Sequence, residues 1–214
     1  MLFYSCITHK SIPTKSVKLS NLITEKTWND SITKIKPRLK ALWSEFYNPA
    51  HQPDFLKKMK YNLPDDTITN NQMEILPIQT YILDSTALSK ISKDADVLSL
   101  LTPSTFLLYG FVFNKTNIHF FTETQITNNK LRICTNGPVF KDYADTVSNL
   151  IFKKKIQLLH VYLEYRISVK NEGRPFNIFV ENNDVYSLQM GGLKRKFVDE
   201  LLEIKEAIRK GERW

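Results

Sequence analysis

The chain has 214 residues, 42% of them hydrophobic, 24% charged and 12% aromatic, the composition of a globular protein and not of a disordered one. No apolar run approaches the roughly 20 residues a membrane-spanning helix needs, and Lys10 arrives too soon for a secretory signal. Two cysteines, Cys6 and Cys134, exclude a disulfide framework, so an intracellular setting, cytoplasmic or nuclear, is expected.

Net charge is +8 with a pI near 9.3, which points to an anionic partner. The charge falls into three zones. Residues 1–60 carry eleven Lys/Arg against four Asp/Glu, residues 61–104 carry two against six, and residues 105–214 carry seventeen against twelve. A basic flank, an acidic middle and a basic second half follow one another.

Asn29-Asp-Ser31 offers cap chemistry for a helix over about 32–47. Ile32, Ile35, Leu39 and Phe46 mark its apolar side, while Lys34, Lys36, Arg38 and Lys40 decorate the rest. Asn62 to Gln72, with Pro64, Asp65 and Asp66, is expected to be an exposed loop or linker. Glu74 to Leu83 is a strand by pattern, and Pro77 inside it argues for a sheet edge. Asp84 is placed to cap a short helix, and a second helix is expected between Ser92 and Leu101.

Thr105 to Phe113 is a continuous aromatic and aliphatic run, the pattern of a strand covered on both faces. Asn114-Lys-Thr-Asn117 and Thr127 to Lys130 are turns that divide it from Ile118–Thr124 and Leu131–Thr135, which makes a three-stranded meander. A helix over about Phe140 to Lys154 follows, with Tyr143, Val147, Leu150 and Ile151 on one side. From Leu159 to Lys170 apolar and polar residues alternate strictly, the sign of a strand with one buried and one polar face, ended by a turn at Gly173. Pro175–Val180 and Val185–Met190 form a hairpin across Glu181-Asn-Asn-Asp184. The last helix is expected from Leu193 to Lys210, before Gly211.

The fold class is therefore α+β: an antiparallel sheet of about six strands, β-β-β-α-β-β-β-α in the second half, with helices on one side. A smaller, basic and mainly helical region, 1–73, precedes a core domain, 74–214.

Three constellations suggest chemistry. Lys194, Arg195 and Lys196 crowd an expected helix start after Gly191-Gly192, where a bound phosphate would offset their mutual repulsion. Lys153, Lys154 and Lys155 lie at a helix end, where they also complement its dipole. His160, Tyr162, Arg166 and Lys170 interleave aromatic and basic side chains on the polar strand face, as single-strand-binding sheets do, although Glu164 interrupts them. In each case a solvated or internally screened surface is the plain alternative.

Enzyme signals are weaker. The acids of the middle segment show no metal-ligand spacing, and the four histidines are scattered. No phosphate loop, G-x-S-x-G or dinucleotide fingerprint occurs, and no cofactor is implied. The expectation is a non-enzymatic basic protein docking on nucleic acid or a ribonucleoprotein through phosphate contacts. The alternatives are a matrix-like adaptor on an anionic membrane surface or a protein partner, and a metal-dependent nuclease.

Overall fold

The computed structural model describes residues 30, 33–39, 41, 60–64, 72–104, 107–127, 130–167, 170–189 and 191–212. Its centre is a mostly antiparallel sheet of nine strands in the order β5-β4-β3-β1-β6-β7-β8-β9, with β2 (Thr102–Pro103) beside β1 (Glu74–Leu83). The meander is β3 (Leu107–Asn114), β4 (Asn117–Thr127) and β5 (Lys130–Pro138). The second group is β6 (Leu158–Ile167), β7 (Lys170–Glu181), β8 (Asp184–Leu188) and β9 (Lys194–Lys196). Nine strands replace the six expected because β1, β2 and β9 extend a sheet whose second-half order is otherwise as read.

β1 is central, which corrects the edge position inferred from Pro77. It pairs antiparallel with β3 over Glu74–Ile78 and parallel with β6 over Gln79–Leu83. Pro77 thus falls before the β6 pairing starts, where the strand has a partner on one side only. A missing N–H costs no ladder bond at such a place.

Helices cover both faces, not one. On one face, Tyr81, Leu83, Leu159, Val161 and Leu163 meet Leu88 of α2 (Ser85–Ser89) and Phe197, Leu201 and Ile204 of α4 (Phe197–Arg209). On the other, Ile78, Phe111, Leu158 and Phe179 meet Tyr143, Ala144 and Val147 of α3 (Lys141–Ser148) and Leu150 of the π-helical Asn149–Lys153. Leu158 and Leu159 are neighbours that enter different clusters, so β6 is buried on both sides. A third cluster seats Ile35 and Leu39 of the helical stretch 33–39, here α1, on Val112, Phe120, Ile75 and Met73.

Local chemistry explains most boundaries. Asp84 Oδ1 accepts from the Ala87 amide at 2.7 Å, the expected cap. Asn182 and Asn183, at φ 54° and 67°, form the two-residue turn between Glu181 and Asp184, as their tolerance of that region leads one to expect. Between Ser92 and Leu101 only the 3₁₀ turn Val97–Leu100 forms. The last helix begins at Phe197 because Lys194–Lys196 pairs with β8 instead.

Gly173 does not turn the chain. It sits within β7 opposite Glu164, and a Cβ there would collide with the Tyr162 ring on the neighbouring strand. A Gly173→Ala variant should therefore lose about 1–3 kcal/mol of stability, as overpacked positions do, measured by urea denaturation. A variant as stable as the parent would show that the Tyr162 ring moves aside without cost.

Candidate functional site

The aromatic–basic face expected on β6 is not at the surface. His160 is 1% exposed and Tyr162 6%, because β1 and β7 flank β6 and its α3-side face belongs to the core. Tyr162 is thereby removed as a stacking residue. Arg166 and Lys170 pair through their backbones with Asn171 and Ile167 in the β6–β7 hairpin. Their side chains lie outside what the structure describes, as do Lys40 and residues 65–71 of the acidic 61–104 zone.

In place of a binding face there is a buried polar network. His160 Nδ1 lies 2.9 Å from Asn177 Oδ1, and Asn177 Nδ2 donates to the hydroxyls of Tyr143 (2.5 Å) and Tyr109 (3.2 Å). With both amide hydrogens used, Asn177 Oδ1 accepts, so Nδ1 of His160 carries the proton. The Tyr109 ring stacks on the imidazole at 3.8 Å with 4° between planes. Burial pulls His160 down to about 4 against the upward pull of Asn177, and burial raises both tyrosines above their ordinary range. At neutral pH every member is uncharged. The network ties β3, β6, β7 and α3 together.

Glu123 sits next in that row, opposite Tyr109 on β3 and Thr135 on β5, and burial raises its carboxyl to about 7. Half-buried Glu123 and buried His160 tilt stability in opposite senses. Between 4.5 and 7 the unfolded chain releases the Glu123 proton before the folded one does, so this group lowers stability as pH rises. Between 6.5 and 4 the unfolded chain protonates His160 first, so that group lowers stability as pH falls. Glu123→Gln should accordingly melt several degrees higher than the parent at pH 7.5 and at the same temperature near pH 4.5. Equal melting points at pH 7.5 would place Glu123 in water.

Lys194, Arg195 and Lys196 also leave the position expected of them. They form an edge strand and not a helix start, and each has an acidic partner: Glu181 at 2.5 Å, Glu203, and Asp184 at 3.2 Å. Gly192, at φ 76°, makes the preceding turn, where a Cβ would come within 2.7 Å of Asp142 O. The glycines serve a turn and the cations serve ion pairs, so no anion is required to offset repulsion. Reversal of the three to Glu should lower the melting temperature, since it sets like charges against Glu181, Glu203 and Asp184. An unchanged melt would mean that solvent already screens these pairs.

Lys153–Lys155 divides. Lys154 reaches Glu181 at 2.7 Å, and with Lys194 it holds that carboxyl down to about 2 through two charged hydrogen bonds. Lys153 and Lys155 are exposed, with no ion pair among the described residues. Phe152 packs on Phe113 (ring centroids 5.3 Å apart), which brings this segment against the β3–β4 turn and its exposed Lys115. α1 rests on the same ends of β1, β3 and β4, with Lys34 and Arg38 exposed and Lys36 half-buried.

Residues 60–64, expected in part as linker, are instead fastened to this end of the sheet. The Asn62 amide donates to Val139 O at 2.8 Å, its Nδ2 donates to Ile118 O at 2.6 Å, and Tyr61 bridges Phe140. Exposed Lys60 and Lys141 lie opposite each other on one side of that bridge. Three lysines thus join the group that sequence reading passed over. For Lys115 a signal existed, since the turn that carries it was legible.

Among the described residues no three His, Cys, Asp or Glu side chains gather to hold a metal ion, and no helix is long and apolar enough to cross a membrane. Comparison with protein-family models, curated proteins and solved structures finds no match.

Proposed function

We propose that this is a non-enzymatic basic protein that docks on nucleic acid, alone or within a ribonucleoprotein, through phosphate contacts at the β3–β4 end of its sheet. The observation that carries the reading is the gathering of exposed lysines with no ion pair among the described residues. Lys115, Lys153 and Lys155 come from the β3–β4 turn and the end of the π-helical segment, with the α1 cations on the same strand ends. Lys154 and the β9 cations are paired with acids, which leaves Lys115, Lys153 and Lys155 as exposed positive charge without an ion pair among the described residues. Contacts of this kind position a backbone and read no bases, which makes binding tolerant of sequence and steep in salt.

The test is a titration against single-stranded RNA, duplex DNA and anionic liposomes at low and moderate salt. Nucleic-acid binding that weakens steeply with salt is expected. Joint replacement of Lys115, Lys153 and Lys155 by Ser should lower affinity for every nucleic acid. It should reduce the logarithmic salt slope by about 2–3, close to one unit per lost phosphate contact, and leave the melting temperature unchanged. Binding to liposomes alone would replace this reading with a membrane-surface adaptor. Binding to none of the three would leave the cations as a solvated coat.

A further inference from the structure

With Tyr162 buried, an aromatic contact to nucleic-acid bases has to come from elsewhere, and the sheet end holds one suitable arrangement. Tyr61 and Phe140, far apart in sequence, form an antiparallel bridge, and their rings stack with centroids 4.6 Å apart and 22° between planes. Both are half-buried, unlike the fully enclosed rings of Phe111, Phe120 and Phe179 in the core. The Lys141 amide donates to Lys60 O at 2.9 Å, so two exposed lysines are cross-strand neighbours on one side of the ring pair, with Asn62 and Val139 on the other.

The pair is rigidly held. Asn62 clamps its segment through the Val139 and Ile118 carbonyls, and its own carbonyl lies 2.8 Å from His119 Nδ1. A carbonyl only accepts, so that nitrogen donates and the histidine tautomer is fixed. Four hydrogen bonds, counting the one between Lys141 and Lys60, thus hold the backbone that presents two aromatic side chains at a surface. Little conformational entropy remains to be lost when a planar partner stacks on them.

We propose that Tyr61 and Phe140, with Lys60 and Lys141 beside them, form a base-stacking point for single-stranded nucleic acid. This rests on the nucleic-acid reading above and narrows it to single strands. A planar base would lie against the ring pair while the two ammonium groups meet its neighbouring phosphates. Base–aromatic stacking is indifferent to base identity, in keeping with phosphate contacts that carry no sequence information. A duplex keeps its base faces inside the stack and reaches only the lysines. Asp142, exposed beside Lys141, is the one carboxylate in the first turn of α3 and opposes a phosphate there.

The experiment compares three probes by fluorescence anisotropy: a single-stranded oligoadenylate, an abasic oligonucleotide of equal length, and a duplex. For the parent protein the oligoadenylate should bind about ten-fold tighter than the abasic strand, the ratio that about 1.4 kcal/mol of stacking gives. Tyr61→Leu should erase that ratio and leave duplex affinity unchanged, Tyr61→Phe should retain it, and Asp142→Asn should tighten all three probes. Equal binding of the base-bearing and abasic strands by the parent protein would overturn the stacking point while the phosphate-contact reading stands. That comparison needs no variant, so it decides even if Tyr61→Leu fails to fold. Absence of binding to any of the three would overturn both readings.

Discussion

The sheet depends on β1 being shared between two sets of strands. Its first half is paired with the meander through β3, and its second half is paired in parallel with β6, the one parallel seam among the described strands. β2 takes over the vacated side of β1 at Tyr81 and Ile82, so both edges of its second half are satisfied. A strand buried this way must be apolar on both faces, and so must its neighbours. The layers of helix on each side follow from that need, and so does the burial of residues that alternate like a half-exposed strand.

That demand also accounts for what the sequence disclosed and what it concealed. The meander, the Asn182–Asn183 turn and the Asp84 cap are local events, in which a few side chains determine their own backbone, and they read directly. The position of β1 is not local. Pro77 correctly announces a strand with one open side, but the open side is a few residues long and lies in the middle of the sheet. The alternation of β6 misleads for a related reason. His160 is polar by type, yet Asn177, Tyr109 and Tyr143 arrive from three other elements to satisfy or enclose it. No window of adjacent residues contains that information.

The candidate site divides along the same line. Basic runs are visible in sequence, but whether a lysine is available depends on acids brought near it by folding. Glu181 draws in Lys154 and Lys194, two residues that belong to different runs, and leaves Lys153 and Lys155 without a partner among the described residues. Counting charges therefore gives the sign of the chain, and only the pairing pattern gives which of its described lysines lack an acidic partner.

The edge strand β9 offers little to a second copy of the chain. It is three residues long, and all three are cations, so an approaching β9 from another molecule would set ammonium and guanidinium groups against their own kind. Opposite charges already lie within this protein, on β7, β8 and α4, and are held there. Open-ended addition of strands, the first step toward fibrous aggregates, is disfavoured along this border by charge and by brevity together. The cluster that looked like an invitation to an anion acts instead as a terminus for the sheet.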